Sequence, residues 1–112
     1  MPLIGKSSMQ AAEPKPGWHG RFAHSPSMSF AQYEIDAGST LHEHHHENEE
    51  VWIIVEGRLE MTEAGETLVA EAGDMVAISP DVAHSARALT KVRALVVDYP
   101  LRLEIPGSRA AR

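Results

Sequence analysis

Hydrophobic residues in this chain come in short runs, each closed by turn-forming residues, and a 3.6-residue period is weak throughout. Ser29 to Ile35 alternates Phe30, Tyr33 and Ile35 with smaller or polar partners, imperfectly, before Asp36-Ala37-Gly38 supplies a turn. Val51 to Val55 reads VWIIV, short, apolar and β-branched. Leu59 to Thr62 follows Gly57, and Glu63 to Glu66 (EAGE) makes the next turn. Thr67–Ala70, Met75–Ile78, His84–Leu89 and Val92–Tyr99 complete the series. Turn signals at about 8 to 12 residues predict an all-β fold, an antiparallel sandwich or barrel. Thr67 to Ala72, the one stretch with any helical look, is too short to form a convincing helix.

Along Glu50 to Val55 both faces are apolar: Trp52 and Ile54 on one, Val51, Ile53 and Val55 on the other. One face can fill a barrel interior. The other needs a second sheet or a second subunit, and a homodimer is the expectation for so small a chain. Met1 to Gly17 mixes Pro, Gly, Ser and Lys without a period, so residues 1–17 are expected to be a tail, flexible or packed on a partner subunit. The pattern is lost again at Pro106-Gly107. The barrel is therefore expected over 18–105 and a C-terminal tail over 106–112.

A length of 112 residues fits one domain. The net charge of −6 argues against nucleic acid and against anionic membrane surfaces, both of which need a basic face. No run approaches the roughly 18 apolar residues of a membrane span, and residues 1–17 lack the apolar core of a signal peptide. A cytoplasmic location is the expectation. The chain has no cysteine, which excludes disulfides, thiolate metal sites and a cysteine nucleophile. Any metal must be held by nitrogen and oxygen.

Such ligands are concentrated in Leu41–Glu50, LHEHHHENEE. Taken alone, the segment also reads as a solvated loop. On a strand, however, His44 and His46 share a face and can chelate one ion. Glu50 opens the apolar strand Val51–Val55, where a carboxylate is costly unless it is paired or metal-bound. His84, after the Ser79-Pro80-Asp81 turn, is the candidate for a fourth ligand from a distant segment. His42 shares the parity of His44 and His46 and is a weak catalytic candidate as a proton shuttle, with an exposed histidine as the alternative. His45 should face away. Trp52, Met61 and Phe30 are candidates either for an apolar pocket or for core, and Arg21 either for an anion contact or for a rim ion pair.

These residues resemble the cupin superfamily, and small single-domain bacterial members in particular. Its first motif is a glycine, five residues, His-x-His, three or four residues, Glu, six residues and a glycine; Gly38, His44, His46, Glu50 and Gly57 match it without a spacing error. The second motif places a histidine eleven residues after a glycine, as Gly73 and His84 do, with 15 residues between Gly57 and Gly73. Ser79, Asp81 and Ala88 depart from the usual proline, glycine and asparagine, and none of these is a ligand position in the family. The resemblance implies a double-stranded β-helix, or jelly-roll, barrel. It implies one divalent transition-metal ion per chain (Fe, Mn, Ni, Zn, Co or Cu), held by His44, His46, Glu50 and His84, with a small-molecule substrate or ligand. Similar small cupins include dioxygenases, isomerases and proteins that open unsaturated uronate rings. A metal-dependent oxygenase or isomerase is thus one expectation. A non-catalytic metal or small-molecule binding module is the other.

Overall fold

The computed structural model describes residues 3–103. A single 3₁₀ turn at Lys6–Ser8 precedes ten strands: β1 (Gln10–Lys15), β2 (Trp18–His24), β3 (Ser29–Ile35), β4 (Thr40–His44), β5 (Glu49–Glu56), β6 (Arg58–Glu63), β7 (Glu66–Glu71), β8 (Met75–Ile78), β9 (His84–Ala88) and β10 (Val92–Tyr99). They form a six-stranded sheet in the order β1-β2-β3-β10-β5-β8 and a four-stranded sheet in the order β4-β9-β6-β7, and every pairing is antiparallel. From β3 onward the chain crosses between sheets at every connection except β6 to β7. This is the expected all-β double-stranded β-helix, a jelly-roll barrel. Among the described residues no helix is long and apolar enough to cross a membrane.

The period of two decides what is inside. On β5, Glu50, Trp52 and Ile54 are buried while Val51 and Ile53 are half-buried and Val55 is exposed. On β10 the buried set is Val92, Ala94, Val96 and Asp98. The smaller sheet adds Leu59, Met61, Ala70, Ala86 and Ala88 from the other side. Each large apolar side chain so buried contributes about 1.5–3 kcal/mol relative to exposure. Trp18, Tyr33 and Trp52 meet at the open end of this core, Trp18 edge-on to both partners at 5.4 and 5.9 Å and Tyr33 stacked on Trp52 at 6.1 Å.

Two expectations about the chain ends meet different outcomes. Residues 10–15, expected in the N-terminal tail, form β1, which pairs with β2 in the same chain through Gln10↔Phe22, Ala11↔Arg21 and Ala12↔Gly20. Sheet pairing can recruit a segment with no apolar period of its own, because backbone hydrogen bonds suffice on an edge strand, where Pro14 is tolerated. Residues 106–112 lie outside the described residues. The second sheet does not cover the outer face of β5: Val51 and Ile53 are half-buried, Val55 is exposed, and Ile4 and Met9 line the same groove as Ile53.

Candidate metal centre

The histidine segment reaches the barrel interior partly by strand and partly by loop. His44 ends β4 and stands opposite His84 at the start of β9. His46 lies past the end of β4, so strand alternation does not account for its direction. A bend at Glu47-Asn48 turns the chain into β5, and its imidazole Nδ1 lies 3.1 Å from the Asn48 carbonyl. The Ser79-Pro80-Asp81 turn closes over the same loop through the Asp81 N–H, which donates to the His46 carbonyl at 2.7 Å. Asp81 holds a left-handed backbone (φ 63°) where the family usually has glycine, a conformation that aspartate tolerates.

His44, His46 and His84 bring ligand atoms within 4.8 Å of one another. His46, Glu50 and Asp98 form a second, overlapping group by the same measure. Glu50 Oε1 lies 3.3 Å from His84 Nε2 and 3.5 Å from His46 Nε2. The other nitrogen of each imidazole faces a backbone carbonyl: His44 Nδ1 to His42 O at 3.0 Å, His46 Nδ1 to Asn48 O, and His84 Nδ1 to Val82 O at 2.9 Å. Donation to those carbonyls puts the proton on Nδ1 and leaves an Nε2 lone pair facing the cluster. His46 Nε2, His84 Nε2 and Glu50 Oε1 are buried and have no hydrogen-bond partner. Lone pairs converging on a carboxylate without a proton between them call for a cation, which is the chemistry a divalent ion fits.

Electrostatics separates two facing carboxylates. Glu50 and Asp98 are cross-strand partners between β5 and β10, both nearly sealed from solvent. Burial opposes ionisation of Glu50, but its contacts with the His46 and His84 imidazoles and the Trp52 indole outweigh burial and hold it well below the usual carboxylate range. Burial, then repulsion from Glu50, pushes Asp98 up to about 8. Burial, with the charge of His84 as a lesser cause, lowers His44, against the pull of the His42 carbonyl. For His84 burial also acts downward, but the Glu50 carboxylate and the Val82 carbonyl prevail and raise it. Arg102 Nη1 bridges the acids at 3.4 Å from Glu50 and 3.8 Å from Asp98. Ser29 and Asn48 hold that segment: Ser29 Oγ accepts from the Arg102 N–H at 2.8 Å, and Asn48 Nδ2 donates to the Pro100 carbonyl at 2.6 Å.

Above the cluster opens a cavity of about 260 Å³, walled by Trp18, Tyr33 and Trp52 and lined also by His42, His44, Glu50, Asp98, Arg102 and Lys15. His42 is exposed at this cavity, with its Nδ1 3.3 Å from Lys15 Nζ. His45 is also exposed and lies 4.0 Å from Asp81, yet it contributes to the cavity lining, a correction to its expected outward direction. Of the apolar candidates, Trp52 is cavity wall, Met61 is core, and Phe30 lies on the outer face of the larger sheet beside Arg21. Sequence reasoning missed Asp98, Arg102, Tyr33 and Lys15. Asp98 carried a legible signal, a carboxylate at the inward parity of an apolar strand, the same signal that marked Glu50.

Residues 31–98 match the sequence model of the family described as Cupin domain. The uncharacterized protein SCO3923 of Streptomyces coelicolor is 33% identical over 85 residues, which cover 75% of this chain and 81% of that protein. The crystal structure of an RmlC-like cupin from Shewanella frigidimarina superposes with a TM-score of 0.82 at 21% identity, covering 89% of this chain and 91% of that one. The structure of KdgF from a Halomonas species gives 0.83 at 22%, covering 92% and 98%.

Proposed function

Because this chain belongs to the cupin family, we propose that it is a mononuclear metalloprotein in which one divalent transition-metal ion, held by His44, His46, His84 and Glu50, serves a metal-dependent enzyme of oxygenase or isomerase type acting on a small organic molecule. One observation carries this reading: three imidazoles from two separate stretches have their Nδ1 atoms engaged by backbone carbonyls, while the buried Nε2 atoms of His46 and His84 face an unpartnered Glu50 oxygen. A divalent ion bound there supplies a Lewis acid with open positions.

The chain's own residues do the rest. The three carbonyl contacts fix the imidazoles in one tautomer and one direction. Trp18, Tyr33 and Trp52 give a small molecule an apolar wall and keep water from its buried side. Asp98 lines the cavity beside Glu50, and in the metal-free site burial and the Glu50 charge raise its carboxyl group to about 8. Arg102 compensates the Glu50 charge. The absence of cysteine suits a cytoplasmic setting.

Elemental analysis of untagged protein purified without added metal tests the centre. About one transition-metal ion per chain is expected. His46→Ala and His84→Ala should lose most of it while keeping a β-type circular dichroism spectrum. A metal-free wild type that also refuses added Fe, Mn, Ni, Zn, Co and Cu removes the reading. Turnover of phenols, diketones or uronates that disappears in His46→Ala supports the enzyme. Full metal loading with no turnover across such a panel favours a binding module instead.

A further inference from the structure

Charge around the cavity is uneven. At its inner end Glu50 and Asp98 share the Arg102 guanidinium. Near His42 stands Lys15, half-buried, its ammonium donating to His42 Nδ1 at 3.3 Å. Among the described residues no carboxylate lies within 4.0 Å of Lys15 Nζ, although the chain carries 16 acidic residues. The nearest acid in sequence, Glu13, is engaged elsewhere, accepting the Gly17 N–H at 2.9 Å. Lys15 is the last residue of β1, and the Pro16-Gly17 turn brings the chain back so that Lys15 pairs with Trp18. The register slips between Ala12 and Lys15, and Glu13 lines an outer groove while Lys15 lines the inner cavity. An uncompensated ammonium over an aromatic wall, in a pocket of small volume, is a recognition feature for an anion with an apolar body.

We propose that Lys15 is a specificity-determining residue that receives the anionic group of the cavity's ligand, and that this ligand is a small organic carboxylate. A single ammonium suits a monoanionic carboxylate. A phosphate ester has greater charge and more acceptor oxygens, and the usual answer to it is several N–H donors or an arginine fork facing it. Here the guanidinium in the cavity is already engaged by Glu50 and Asp98. The inference rests on reading this cavity as the small-molecule site.

Both tryptophans of the chain, Trp18 and Trp52, form the cavity wall, so intrinsic fluorescence reports occupancy. Benzoate and pyruvate are titrated against their neutral amides, with phenyl phosphate as a third arm. Wild type, Lys15→Gln and Lys15→Arg are compared, each in metal-loaded and metal-free form, with metal content measured in parallel. At least one of the two carboxylates should quench, and bind about tenfold more tightly than its amide. Lys15→Gln should remove most of that preference without changing amide binding, metal content or melting temperature, and Lys15→Arg should restore it. The proposal is overturned if neither carboxylate quenches at tens of millimolar, if amide and carboxylate bind alike, if Lys15→Gln leaves the preference intact, or if phenyl phosphate binds more tightly than either carboxylate. Carboxylate preference in a protein that takes up no metal overturns the metal centre alone. Full metal loading without that preference overturns the Lys15 assignment alone.

Discussion

Asp98 and Glu50 show how neighbours decide what a residue does. They face each other across two central strands, and two ionised carboxylates there would repel at short range in a medium of low polarity. The pair resolves by dividing roles. Glu50, beside two imidazoles, keeps its charge, and Asp98 keeps its proton. Stability follows from the sign of the Asp98 shift. Its folded value of about 8 lies above the unfolded 3.8, so the folded state binds the extra proton between those limits. The contribution is complete below about pH 4 and is lost as pH rises towards 8. Metal-free wild-type protein should therefore lose melting temperature over that range, with Asp98→Asn showing a flatter profile. An unchanged slope in Asp98→Asn would assign the effect to another group. His42, the weak catalytic candidate, stands exposed at the cavity with its Nδ1 3.3 Å from Lys15 Nζ.

At the scale of elements, the two glycines of the first motif do different work. Gly57 joins β5 to β6 with φ 89°, and a Cβ there would lie 2.0 Å from the Lys91 carbonyl oxygen and 2.8 Å from Thr90 Oγ1. Gly38, with φ 86°, has open space where its Cβ would be. Gly57→Ala thus combines backbone strain with a collision between the β5–β6 corner and the β9–β10 loop, while Gly38→Ala meets the backbone cost alone. Urea denaturation should give a loss of about 1 kcal/mol for Gly38→Ala and about 3 kcal/mol or more for Gly57→Ala. Equal losses would mean that the corner relaxes freely.

For the whole molecule, register across the larger sheet builds an apolar outer face from five strands. Ala23, Phe30, Val97, Val51 and Ala77 form one row, and Leu95, Ile53 and Met75 continue the next, with Met75 70% exposed. A contiguous patch of this kind marks an association surface. We propose a second copy of this chain as its occupant, because an apolar face repeated on an identical chain can cover itself about a two-fold axis. Light scattering should report a dimer, and Ile53→Asp should shift it to monomer with the fold retained. A monomeric wild type at tens of micromolar would sink this assignment.

The sequence by itself determined the strand pattern, an antiparallel sandwich or barrel, and the ligand-type residues at their spacing; the jelly-roll class came from the family resemblance those residues carry. Alternation and turn chemistry are local, and a carboxylate or imidazole opening an apolar strand is visible without any partner. Ser29–Ile35, Met75–Ile78 and Val92–Tyr99 were legible to the residue. Tertiary structure alone decided that β1 joins the sheet, that His46 is aimed by a bend rather than by strand parity, and that Arg102 and Lys15 reach the cavity. Edge pairing, loop direction and charge compensation depend on which distant backbone comes to lie alongside, and no periodicity along the chain encodes that.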